Sequence, residues 1–129
     1  MERLDVIAAA HRLAELRVSH VTTEAEAMAA MRPLGMLNQC LLGVTCFCGR
    51  TPWERHPDGD ELLYVLEGRV EVTVLAEEGP HVEAVPAGSL FVVPRGLWHR
   101  QHAEQTVRLL FATAADTTGH SWADDPREE

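Results

Sequence analysis

From about residue 37 onward the chain keeps a period of two. Val70, Val72 and Val74 alternate with Glu71 and Thr73, and Val107, Leu109 and Phe111 alternate with Arg108 and Leu110. Successive side chains of an extended segment leave opposite faces, so each run presents one apolar face, the mark of a half-buried strand. Similar short runs rich in Val, Leu, Phe and Thr lie near 38–48, 53–57, 61–67, 80–85, 89–93 and 98–102. Gly68, Gly79-Pro80, Ala87-Gly88 and Pro94-Arg95-Gly96 punctuate them as turns. About eight short strands at such close spacing point to an all-β chain built as a sandwich or jelly roll.

The first 36 residues follow a different rule. Leu4, Ile7, Ala8, Leu13 and Leu16 recur at helical spacing among strong helix formers, which predicts a helix over 2–18. A second helix is predicted over 24–31, with Thr23 as N-cap, Glu26 three positions on, and Arg32-Pro33 as the stop. Residues 1–36 thus read as a helical extension, 37–113 as the barrel, and 114–129 as an acidic tail expected to be loosely ordered after about Gly119. His11 and His20 read as surface residues.

Composition narrows the partners. At 129 residues and 46% apolar the chain is one domain with enough apolar side chains for a core. Its formal charge is −9, and its basic residues form no run. Nucleic acid and anionic membranes need clustered Lys and Arg, so neither is expected as a partner. No apolar run reaches the ~18 residues of a membrane span. Three cysteines (Cys40, Cys46 and Cys48), no CxxC pair and no signal-type apolar region at the start give a cytoplasmic location as the expectation. Cys46 and Cys48 share a strand face and read as small core residues rather than as ligands.

The chemistry lies in Trp53–Gly68, W-E-R-H-P-D-G-D-E-L-L-Y-V-L-E-G. Glu54 and His56 are two apart on an extended segment and leave on one face. Pro57-Asp58-Gly59 turns the chain, and Glu61 opens the next strand on the face of Leu63 and Val65. If that face lines a barrel, Glu61 points where Glu54 and His56 point. A second cluster, Gly88–His99, uses Pro94 and Gly96 as a tight turn and brings His99 in on another strand.

These two clusters resemble the two motifs of the cupin superfamily. Gly49-x6-His56-x4-Glu61-x6-Gly68 is similar to the first motif and Gly88-x5-Pro94-x-Gly96-x2-His99 to the second. The resemblance spans roughly residues 37–112 and implies a double-stranded β-helix, a small jelly-roll barrel. It also implies a divalent metal (Zn, Fe, Mn or Ni) held by Glu54, His56, Glu61 and His99. Glu54 stands where the family's first motif carries a histidine, and Ala103 falls where its second motif ends in Asn.

Charge makes the implied metal reasonable. Two carboxylates in a small apolar barrel repel each other and lose hydration, and a divalent ion neutralises both. The alternatives are protonation of one Glu, or pairing with Arg50, Arg55, Arg95 or Arg100. The function that follows is a small metal-dependent dioxygenase or isomerase acting on a small molecule in the barrel. A non-catalytic ligand-binding or sensory barrel, with or without metal, is the alternative, and the family implies a homodimer. Trp53, Trp98 and Tyr64 read as packing residues, Asp60 as a solvated turn residue, and His81 and His102 as surface or rim positions.

Overall fold

Strand β9, His99–Ala114, is the spine of the molecule in the computed structural model, which describes residues 1–115 and 118–128. It runs antiparallel to four strands. Cys40–Arg50 (β3) and Trp53–Arg55 (β4) pair with it, as do Glu61–Glu67 (β5) and Arg69–Ala76 (β6). Gly79–Pro86 (β7) pairs with β6 and Leu90–Val93 (β8) with β5, and the sheet curls into a jelly-roll barrel. The run predicted at 98–102 and the alternating run through Val107, Leu109 and Phe111 are therefore one continuous strand.

The period of two seen in the sequence closes the core. Leu63 and Val65 of β5, Val70, Val72 and Val74 of β6, Val85, Val93, and Val107, Leu109 and Phe111 of β9 form one buried cluster with Phe47. Two glycines are required by their backbones. Gly68 turns β5 into β6 at φ +85°, and a Cβ there would collide with the Thr106 carbonyl. Gly49 sits at φ +96° where the register between β3 and β9 shifts, and a Cβ there would meet the Val18 backbone. Any other residue is strained at both positions.

The N-terminal helices are shorter than predicted. α1 spans only Val6–His11, capped by the Asp5 carboxylate, which accepts from the Ala8 N–H. Leu16–Val18 (β1) then pairs in parallel with β3. Helix propensity differs by only about 0.7 kcal/mol per residue among ordinary residues, so a strand partner outweighs it. α2, Glu24–Ala29, keeps the Thr23–Glu26 capping box read from the sequence. Met31–Leu37 (β2) is already strand and pairs with β3. α1 packs outside the barrel: Ala9 and Ala10 bury against Val44, with Leu66 and Leu110 alongside.

The tail also differs from expectation. Gly119–Ser121 (β10) pairs with β4, Ser121 is buried, and Pro126 is buried at the start of a short 3-10 turn. The pairing with β4 ties this part of the tail to the barrel. His81 lies in β7 and is exposed, as expected. Cys46 and Cys48 are buried in β3, and burial raises both thiols. No helix among the described residues is long and apolar enough to cross a membrane.

Candidate metal centre

Backbone hydrogen bonds bring the two sequence clusters together. The Gly96 N–H donates to the His56 carbonyl at 3.0 Å, and the Arg95 N–H donates to the Asp60 carboxylate at 2.8 Å. Asp60 is thus more than a solvated turn residue, because it clamps one motif to the other. In the ladder Glu54 stands opposite His99, and Glu61 opposite Val93. Glu61 shares the inner face of β5 with Leu63 and Val65, so the strand alternation that builds the core also delivers a carboxylate to its end.

Among the described residues, His56, Glu61 and His99 form a buried group whose ligand atoms all lie within 4.8 Å of one another. Glu61 Oε1 is 3.0 Å from His99 Nε2, and Glu61 Oε2 is 3.5 Å from His56 Nε2. Glu54 stands beside this trio, its Oε2 3.7 Å from His56 Nε2, with its side chain 28% exposed. It is the member of the four that reaches solvent. The outer ring nitrogens are anchored. His99 Nδ1 donates to the Leu97 carbonyl at 3.2 Å, and His56 Nδ1 meets the Thr118 hydroxyl at 3.1 Å. Both rings therefore present Nε2 to the centre, the arrangement that holds metal-ligating imidazoles in one tautomer.

That anchoring leaves a charge problem. A carbonyl only accepts, so His99 carries its proton on Nδ1, and a neutral ring would then turn a lone pair toward the Glu61 carboxylate. The contact requires either a proton shared between the Glu61 carboxyl and His99 Nε2 or a cation between the groups. His56 Nε2 is buried and has no hydrogen-bond partner. Donor separations of 3.0 and 3.5 Å also suit an ion with bonds of about 2.1 Å, whose adjacent ligands lie about 3 Å apart. The donor set fits a divalent transition metal.

The protonation equilibria follow from the same contacts. Burial alone would raise Glu61, but the contacts and charge of His56 and His99 outweigh it and hold the carboxyl at about 2. Burial opposes a charged His99, yet the hydrogen bond and charge of Glu61, helped by Glu54 and the Leu97 carbonyl, raise it above its usual value. Glu54 is raised by burial and then by the neighbouring Glu61 charge. None of the four nearby arginines ion-pairs with either carboxylate among the described residues. Arg55 lies over Trp98 at 4.9 Å and Arg100 over Trp53 at 4.2 Å.

Two neighbours of the centre lie in the tail and were not singled out in the sequence. Thr118 orients His56, and His120 Nε2 stands 4.0 Å from Glu54 Oε2. Thr118-x-His120 repeats the spacing of Glu54-x-His56, but the acidic, turn-rich tail around it hid the strand. Ala103, where the resemblance places a terminal Asn, is buried and offers no donor.

A single jelly-roll barrel with a histidine–carboxylate cluster at the end of its core defines the class. Residues 48–113, just over half of the chain, match the Cupin_2 cupin domain, and the chain belongs to that family. It is 41% identical over 54 residues to germin-like protein 1-1 of Oryza sativa subsp. japonica, covering 41% of this chain and 25% of that protein. It is 31% identical over 64 residues to the uncharacterized protein YdbB of Bacillus subtilis (strain 168), covering 50% and 54%. The chain thus spans about a quarter and about half the length of these curated relatives.

Solved structures agree on the fold. A cupin-2 domain protein from Shewanella frigidimarina superposes with TM-score 0.58 at 21% identity, over 65% of this chain and 78% of that one. Oxalate oxidase in complex with glycolate gives 0.56 at 22%, over 64% and 46%. Hydroquinone 1,2-dioxygenase from Sphingomonas sp. TTNP3, with 4-hydroxybenzoate bound, gives 0.59 at 17%, over 68% and 66%.

Proposed function

We propose that this chain is a metal-dependent cupin enzyme that acts on a small polar organic molecule, with dioxygenase or isomerase chemistry. The observation that carries the reading is the buried convergence of His56, Glu61 and His99, with His56 Nε2 left without a hydrogen-bond partner. His56, Glu61 and His99 supply the two-histidine, one-carboxylate set, and Glu54 adds a fourth ligand from the solvent side. Oxygen and imidazole donors of this kind suit Fe²⁺ and Mn²⁺, and also accept Zn²⁺ and Ni²⁺. A bound ion would act as a Lewis acid toward a substrate oxygen.

The chain's own residues divide the remaining work. Glu61 stays ionised and sets the charge of the centre. His56 and His99 hold their Nε2 atoms inward through Thr118 and Leu97. Glu54, the member of the four that is partly open to solvent, is the group placed to exchange a proton with substrate when its carboxylate is not engaged by the ion. The interior beyond the donors is filled by Leu63, Val65, Val74 and Leu109, so substrate approaches beside Glu54 and is small. The glycolate and 4-hydroxybenzoate in the two structural neighbours support a substrate of that size class.

A second reading is a non-catalytic binding barrel, favoured by the seal over the trio: His56 is 4%, Glu61 6% and His99 1% exposed. Elemental analysis of untagged protein, joined to water-proton relaxation of the Mn²⁺-loaded form, separates the cases. Stoichiometric metal with a fast-exchanging coordinated water supports the enzyme. Stoichiometric metal with no exchangeable water supports the sealed barrel. Absence of metal, with no melting response to Fe²⁺, Mn²⁺, Ni²⁺ or Zn²⁺, removes the metal reading. In the same assay Glu54→His tightens Ni²⁺ and Zn²⁺ if Glu54 is a ligand, and changes little if it is not.

A further inference from the structure

Arg50 and Arg100 line the same two hollows of the barrel. Acids outnumber bases by 20 to 11 in this chain, yet neither arginine lies within ion-pair distance of a carboxylate among the described residues. Both border a cavity of about 190 Å³ walled by Trp53 and Trp122. Both also border a neighbouring hollow of about 390 Å³ that continues to Thr73 and His102. The arrangement is fixed by register. His102 stands opposite Arg50 on β3 and opposite Glu71 on β6, and Arg100 stands opposite Thr73.

The site is built rather than incidental. Arg100 is half-buried and lies over the Trp53 ring at 4.2 Å, which orients its guanidinium plane. Trp53 is 3% exposed, and its indole Nε1–H is buried with no acceptor. Two guanidiniums without carboxylate partners, exposed Arg50 and half-buried Arg100, border one hollow beside two tryptophans, a lining that suits an oxyanion. Asp124 in the smaller cavity and Glu71 in the larger one leave each with one acid against two arginines, which limits the charge a ligand brings. We propose that Arg50 and Arg100 form a second binding site, for a small carboxylate or phosphate anion, with Trp53 and Trp122 as its walls.

The site is independent of the metal reading, so the experiment uses chelator-treated full-length protein. Inorganic phosphate and, separately, acetate are titrated at constant ionic strength, read by tryptophan fluorescence and by Arg Nε–H and backbone amide NMR shifts. Saturable shifts centred on Arg50 and Arg100 with either anion support the site, and the anion that saturates first identifies which source it prefers. Arg50→Gln and Arg100→Gln each weaken binding about tenfold, the loss of one charge-assisted contact. An unaltered far-UV spectrum and melting temperature in these variants show that their folds are intact. Absence of saturation in the wild-type protein with both anions overturns the proposal, as does undiminished binding in the double variant. The wild-type NMR map decides the matter even if a variant fails to fold.

Discussion

One face of one strand divides the interior of this barrel in two. On β5, Leu63 and Val65 are fully buried and meet Leu109 and Phe111, while Glu61, two residues before Leu63 on the same face, is 6% exposed and meets two histidines. The apolar end is satisfied by packing alone. The polar end leaves the buried His56 Nε2 atom without a hydrogen-bond partner among the residues around it. The barrel is therefore satisfied by its own packing over most of its length and gathers its buried polar groups, the candidate metal site, at one end.

The sharpest way to break that comparison is to damage the apolar end alone. Leu63→Ala removes a fully buried side chain and is expected to lower stability by about 2–5 kcal/mol in urea unfolding, with metal stoichiometry unchanged. Loss of metal along with stability would mean the two ends are not separable. At the polar end, Glu61→Gln keeps the shape and removes the charge. It is expected to weaken Mn²⁺ affinity at least about 100-fold, roughly 2.7 kcal/mol, with an unaltered far-UV spectrum. A variant that binds Mn²⁺ as the wild type does would remove Glu61 from the ligand set.

Acidity separates the ends more gently. Glu61 sits below its ordinary value of 4.5, at about 2, so its contribution to metal-free stability is complete above about 4.5 and disappears as pH falls toward 2. His99 is raised from 6.5, so its contribution is complete below about 6.5 and disappears as pH rises through its folded value. Metal-free protein is therefore expected to melt highest between about pH 4.5 and 6.5. Saturating Mn²⁺ should lift the alkaline limb most, since ligands there are already deprotonated. An alkaline limb that Mn²⁺ leaves unchanged would argue against His99 as a ligand. The smallest effect belongs to Thr118→Val, which frees His56 Nδ1. Metal affinity should fall by about tenfold, with stability moved by less than about 1 kcal/mol in the metal-free protein.

Strand alternation and glycine turns made the barrel legible, because a buried face leaves its period in the residues. The spacing of His56, Glu61 and His99 was legible for the same reason. Two regions were not. Residues 2–18 have the composition of a helix, but Leu16–Val18 are recruited by the free edge of β3, a partner some thirty residues away. The tail has the composition of a loose end, but β4 offers it a partner, and only that pairing brings Thr118 and His120 to the site. Local propensity cannot report a distant partner. The arginine pair escaped notice for a related reason: residues 50 and 100 become neighbours only through the β3–β9 ladder.

The sixteen residues of β9 have a consequence in time. They border β3, β4, β5 and β6, all of which precede them in the chain. During synthesis those four strands emerge with open edges, and Glu61 emerges without His99. Such long-range antiparallel closure is slow, and exposed strand edges are sticky until it happens. The last barrel strand to leave the ribosome is thus the one that seals the molecule and delivers His99, so the candidate ligand set comes together only once the chain has become a barrel.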